Sequence, residues 1–157
     1  MSRRSVTLHI NGHRYDLEID PHRTLLSVLH EELGLTGTKQ NCLEAECGVC
    51  TLLVDGEAVN SCIYPAMRAE GRQITTIEGL ASAEGLHPMQ RAFIVHDAVQ
   101  CGYCIPGMIM SAVALVAEHP QLSEEQIVEG LAGNLCRCTG YAKIVDAVRA
   151  AAEEMCA

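Results

Sequence analysis

Alternation governs the start of the chain. Val6, Leu8 and Ile10 alternate with Thr7, His9 and Asn11, the period of a strand with one face on a core. Asn11-Gly12 supplies a two-residue hairpin turn, and Tyr15, Leu17 and Ile19 alternate on the return. Asp20-Pro21 breaks the pattern, and from Thr24 the period becomes helical. Leu25, Leu26, Val28, Leu29 and Leu33 mark one face, Glu31 and Glu32 lie outside it, and Gly34 is the stop. A turn-rich loop without periodicity runs from Thr36 to Cys50. Thr51 to Val54, Asp55-Gly56 and Glu57 to Cys62 then predict a second hairpin, and Gln73 to Ile77 a last short strand. Two hairpins with one helix between them predict a small mixed sheet covered on one face by a helix, the β-grasp arrangement.

Beyond about residue 84 the period is helical throughout. Four segments stand out: His87 to Val99, Pro106 to Glu118, Ser123 to Leu131 and Tyr141 to Met155. Pro106 suits a first helical turn, Ser123-x-x-Gln126 is a capping box, and His119-Pro120 and Gly133-Asn134 supply stops. The fold class expected is α+β. A sheet domain over residues 1–79 precedes a compact bundle of four short antiparallel helices over residues 80–157.

Composition narrows what such a chain can do. Eleven Lys and Arg against twenty Asp and Glu leave a formal charge of −9, which argues against nucleic acid and anionic membrane surfaces as partners. One Phe, four Tyr and no Trp leave no platform for stacking bases. No apolar run approaches the roughly 18–20 residues of a spanning helix. The first residues lack the apolar stretch of about 7–15 residues that a secretory signal needs. Arg3-Arg4 leads into strand-like alternation where a twin-arginine signal would turn apolar, so a cytoplasmic location is expected.

The unusual component is cysteine, nine in 157 residues. An odd number in a reducing compartment is a poor disulfide framework, which leaves metal or cluster ligation. Cys42-x4-Cys47-x2-Cys50, with Cys62 further on, has the spacing of a plant-type ferredoxin loop for a 2Fe–2S cluster. Three ligands come from one loop, Gly48 allows close backbone approach, and the hairpin returns the fourth. Zinc knuckles favour C-x2–4-C pairs and fit this set less well. The second set is Cys101-x2-Cys104 with Cys136-x-Cys138. Its spacing alone also suits zinc or thioredoxin-like chemistry. Both of its halves lie just before a predicted helix, where the dipole favours thiolate charge.

Leu35-Thr-Gly-Thr-Lys-Gln40, Cys42 to Cys50, Ser61-Cys62, Gln100 to Met108 (QCGYCIPGM) and Gly133 to Tyr141 (GNLCRCTGY) carry a resemblance over nearly the whole chain. It resembles the small iron–sulfur subunit of the molybdenum hydroxylases, the xanthine dehydrogenase, aldehyde oxidoreductase and carbon monoxide dehydrogenase-like family. The resemblance implies an N-terminal plant-type ferredoxin-like domain holding one 2Fe–2S cluster on Cys42, Cys47, Cys50 and Cys62. It implies a C-terminal four-helix bundle holding the second on Cys101, Cys104, Cys136 and Cys138. By residue match, Gln100 and Cys138 face the molybdopterin of a large partner subunit. The resemblance also implies a medium subunit carrying FAD, in a heterotrimer open to dimerisation. The chain then relays electrons from molybdopterin to FAD or an external acceptor. On the same resemblance, its complex is expected to oxidise xanthine or another N-heteroaromatic in preference to an aldehyde. Two residues depart from the family pattern: Ala45 replaces the usual Gly, and Ile105 the usual Thr.

The remaining residues suggest no further chemistry. No two histidines lie three or four residues apart within a predicted helix, so surface or turn roles are expected for all seven. Gly34 to Lys39 lacks the full phosphate-loop pattern, and no nucleophile–base or carboxylate pair is visible. Cys156 is expected to be a free thiol. Met108, Ile109 and Met110 are expected in the core or, with Pro106, under a partner. Two rival readings are a zinc-bound interaction module and a freestanding ferredoxin, the latter leaving the second half unexplained.

Overall fold

The structure, a computed structural model, describes residues 2–156. Strands β1 (Arg4–Ile10) and β2 (His13–Ile19) form the first hairpin, pairing from Ile10 opposite His13 to Arg4 opposite Ile19. Asn11 and Gly12 both take positive φ, 52° and 79°, the geometry that matches the twist of the flanking strands. Asp55 and Gly56 repeat it at 52° and 87° between β3 (Thr51–Val54) and β4 (Glu57–Asn60). A short β5 (Gln73–Thr75) runs parallel to β1 and antiparallel to β3, giving the mixed order β2-β1-β5-β3-β4.

Helix α1 (Leu25–Glu31) starts where Thr24 Oγ1 accepts the Ser27 N–H and ends before the predicted Leu33. Gly34, at φ 67°, turns the chain so that the Leu35 N–H closes back on Leu29 O. Leu25, Val28 and Leu29 pack with Val6, Leu8, Ile10, Ile19, Leu52, Val54 and Ile74 in one core.

The second half holds α2 (Pro88–Val95), α3 (Ile105–Glu118), α4 (Glu124–Gly130) and α5 (Ala142–Met155), so the class is α+β. The Ser123–Gln126 capping box forms in both directions, and Pro106 sits in the first turn of α3. Helix α2 stops at Val95, short of the expected Val99. The chain reverses through Asp97 at φ 50°, and the apolar run that suggested continuation leaves Ile94, Val95 and Val99 exposed. Met108, Ile109 and Met110 are buried in the core of this chain, the first of the two expected placements, so the alternative that a partner covers them is corrected. Among the described residues no helix is long and apolar enough to cross a membrane.

The second core is not confined to the helices. Cys47 and Val49, from the loop before β3, are buried among Met89, Phe93, Met108 and Ile144. Both cysteine-bearing loops therefore meet at the junction of the two halves.

Candidate metal centres

The fold gathers the first four cysteines. The loop 42–50 is pinned at its exit by Thr51, whose N–H and Oγ1 both donate to Gly48 O, at 3.1 and 2.7 Å. Closure of the β3–β4 hairpin places Ser61 beside Cys50, with its N–H and hydroxyl donating to Cys50 O at 3.3 and 2.7 Å. The Cys62 side chain thereby lies against Cys50, the two sharing a buried niche with Leu26. Cys42 in turn lies against Cys47.

The second set forms where two helices begin. Cys104 caps α3 and touches Cys136, while Cys101 touches Cys138, both partners coming from the loop before α5. Each set of four sulfurs is thus assembled as two neighbouring pairs. Among the described residues no three His, Cys, Asp or Glu side chains gather as a site for one ion. Four donors converging on one point is what tetrahedral zinc requires. Paired thiolates suit two irons bridged by sulfide, two ligands to each.

The sulfur environments differ, and so do their proton affinities. Backbone N–H groups of Glu44 and Cys47 bring the half-exposed Cys42 thiol down to about 7, and that of Glu46 assists. Burial pushes Cys50 up to about 11 and Cys104 up to about 12, with the neighbouring thiols Cys62 and Cys136 adding to it. Burial also works to raise Cys136, but the Thr139 hydroxyl and the N–H groups of Thr139 and Cys138 outweigh it. The contact with Cys101 raises the exposed Cys138. A bound cation reverses the burial effect, because it converts the thiol outright to a coordinated thiolate. All nine cysteines are free of disulfides.

Direct contacts tie the two loops together. Leu135 N–H donates to Cys47 O at 2.9 Å, joining a backbone neighbour of Cys136 to a cysteine of the first set. The buried Asn134 Nδ2 donates to Gly48 O at 2.9 Å and reaches Thr51 Oγ1 at 3.4 Å. The Tyr103 hydroxyl bonds Gln40 O. Two glycines make this approach possible. A Cβ on Gly48 would come within 2.3 Å of Gly133 O, and one on Gly107 within 2.4 Å of Gly48 O. The cysteine spacing alone did not reveal Asn134 and Gly107 as bridging residues. The available signal was their position inside the motifs that carry the cysteines.

Of the expected pterin-facing residues, Gln100 and Cys138 are both exposed; Gln100 precedes exposed Cys101 in the chain, and Cys138 touches it. Ala45 sits at φ 63°, so the usual glycine's absence does strain the first loop. Ile105 is a buried first residue of α3. His30 and His87 have local structural roles, the first bonding Thr38 O at 2.6 Å and the second capping α2. Cys156 caps the end of α5 and donates to Pro120 O at 3.1 Å.

Comparison with known proteins adds a second line of observation. The model of a 2Fe–2S iron–sulfur cluster binding domain matches residues 8–81, and that of a 2Fe–2S binding domain matches residues 76–149. The chain is 47% identical to a nicotinate dehydrogenase subunit from Pseudomonas putida, covering 95% of both chains. It is 44% identical to the iron–sulfur-binding subunit of an aldehyde oxidoreductase from Escherichia coli, over 96% of this chain and 72% of that one. Among solved structures, quinoline 2-oxidoreductase from Pseudomonas putida superposes with a TM-score of 0.93 at 42% identity, over 98% of this chain and 96% of that one. Aldehyde oxidoreductase from Desulfovibrio gigas superposes with a TM-score of 0.92 at 41% identity, over 97% of this chain but 17% of that longer one.

Proposed function

This chain belongs to the iron–sulfur subunits of the molybdenum hydroxylase family, and on that premise we propose that it relays electrons singly from a molybdopterin centre in a large partner subunit to an FAD subunit or external acceptor. Residues 1–79 form the ferredoxin-like domain, with Cys42, Cys47, Cys50 and Cys62 as the ligands of one cluster. Residues 80–157 form a four-helix bundle domain, with Cys101, Cys104, Cys136 and Cys138 as the ligands of the other. The observation that carries this reading is the assembly of each cysteine set as two sulfur pairs at the junction of the halves. A 2Fe–2S cluster, when bound, supplies a one-electron acceptor with a potential set by its surroundings. The chain supplies the thiolates, backbone N–H groups that offset their charge, and burial of Cys47, Cys50, Cys62 and Cys104 away from water.

Exposed Cys101, Cys138 and Gln100 form the side offered to the pterin-bearing partner. Exposed Ile94, Val95, Val99, Tyr103 and Leu135 supply apolar surface for an interface in a heterotrimer. The working location proposed is the cytoplasm. Substrate contacts belong to the large subunit. The nicotinate and quinoline relatives support an N-heteroaromatic substrate, whereas the Escherichia coli relative supports an aldehyde. Assay of the purified complex with nicotinate, xanthine and an aromatic aldehyde separates the two. Metal analysis tests the relay itself: the eight paired cysteines predict about four irons and four acid-labile sulfides per chain, with two reduced-state EPR signals. About two irons in undamaged protein would sink the second centre, and colourless zinc protein would sink the reading.

A further inference from the structure

We infer that Thr139 is a positioning residue that sets the reduction potential of the helical-half centre through a hydroxyl–sulfur hydrogen bond to Cys136. The inference rests on the proposed ligand role of Cys136. Thr139 Oγ1 donates to Cys136 Sγ at 3.0 Å, and the Thr139 N–H approaches the same sulfur at 3.4 Å. Thr139 Oγ1 also accepts the Tyr141 N–H at 3.3 Å, which occupies one lone pair of the oxygen and holds the side chain against the loop. Tyr141 holds the loop at two further points. Its Oη accepts the Cys136 N–H at 2.8 Å and lies 3.4 Å from Asn134 O, to which it donates.

Three hydrogen bonds thus run round Cys136, from its own N–H to Tyr141, from Tyr141 to Thr139, and from Thr139 back to its sulfur. Tyr141 holds a φ of 68°, a conformation that a non-glycine residue keeps only where its surroundings fix it. The Thr139 hydroxyl both accepts and donates, so the incoming Tyr141 N–H polarises the O–H that points at the sulfur and strengthens that bond. The first set is built differently. Its nearest hydroxyls serve carbonyls, with Thr51 Oγ1 donating to Gly48 O and Ser61 Oγ to Cys50 O, each at 2.7 Å.

A donor at a ligand sulfur stabilises the more negative reduced state more than the oxidised state, so it raises the potential. Removing it makes the centre harder to reduce. The effect is local, because the hydrogen bond ends on one sulfur of one set.

The test uses the intact complex carrying Thr139→Val, Thr139→Ala or Thr139→Ser, with midpoint potentials read from the two EPR signals during stepwise chemical reduction. The helical-half signal is identified beforehand by the change in its g values in Cys138→Ser. Val and Ala should each lower the midpoint of that signal and leave the other unmoved, while Ser, which keeps the hydroxyl, should hold it near wild type. Iron content separates failure of this inference from failure of the ligand assignment. About four irons per chain in the variants with an unmoved midpoint would overturn the tuning role and leave the ligands standing. Loss of helical-half iron in both Val and Ala would also overturn it, since the hydroxyl would then build the site rather than tune it. About two irons in wild-type protein would overturn the ligand assignment first.

Discussion

Leu43 and Ala45 take φ values of 64° and 63° in the loop carrying Cys42, Cys47 and Cys50. The left-handed region costs an L-residue about 1–2 kcal/mol, and the loop bears that cost because its neighbours fix it. Asn60 Nδ2 holds Ala45 O at 3.3 Å, across from β4. Ala45→Gly should therefore stabilise the iron-loaded chain by about 1 kcal/mol, less the extra freedom glycine has when unfolded. The midpoint of urea-induced loss of visible absorbance should rise in Ala45→Gly and fall in Ala45→Val, where a β-branched side chain meets the same φ. A lower midpoint for the glycine variant would show that the alanine methyl contributes packing that outweighs the strain. At this scale the first cysteine set was legible from its spacing, a property of local sequence, whereas the spacing of Cys101, Cys104, Cys136 and Cys138 also suited zinc and needed the family resemblance to be read as a cluster site. The parts played by Thr139, Tyr141 and Asn134 were not legible, because they depend on hydroxyl orientation and on a contact 86 residues apart in sequence.

Helix α2 shows how one end of an element can be specified and the other left ambiguous. Its start is a reciprocal box: His87 Nδ1 accepts the Met89 N–H at 3.2 Å, and Gln90 Oε1 accepts the His87 N–H at 3.0 Å. Only the neutral imidazole can accept. Burial, helped by the Arg91 charge and opposed by Glu154, holds His87 below its ordinary value. As pH falls through about 6.5, the unfolded chain takes up this proton before the folded one does. The contribution is therefore complete above that pH and declines through the window down to the lowered folded value. His87→Asn keeps a capping side chain without the titration, so its urea midpoint should drop less than wild type between about pH 7.5 and 6.0. His87→Ala should cost about 1 kcal/mol at neutral pH. Equal pH slopes for wild type and His87→Asn would remove His87 from the pH dependence. Hairpin turns were readable because Asn-Gly and Asp-Gly state their backbone geometry outright. The far end of α2 was not, because Ile94, Val95 and Val99 form an apolar run that faces outward and mimics helical periodicity.

On the scale of the whole molecule, the two halves meet through the cysteine-bearing loops, and the proposed relay takes its direction from that layout. Cys101 and Cys138 are exposed, Cys104 is buried, and Cys136 beside it lies next to the Leu135 N–H bound to Cys47 O. Entry at the exposed pair, passage past Cys136 and Cys47, and exit from the ferredoxin-like half is the order this layout supports. Two substitutions in the intact complex test that order. Cys138→Ser changes a proposed ligand on the outer side, so substrate-driven reduction of both centres should slow severely. Chemical reduction of the ferredoxin-like centre should stay near normal. Cys47→Ser changes a proposed ligand on the inner side, so the helical-half centre should still fill from substrate at close to the wild-type rate, while onward passage to FAD or an added acceptor stalls. Rapid mixing with substrate, followed by absorbance and by EPR of freeze-quenched samples, reads each centre separately. If Cys47→Ser blocked substrate reduction of the helical-half centre while its four ligands still held iron, entry would lie on the ferredoxin-like side and the order would be reversed.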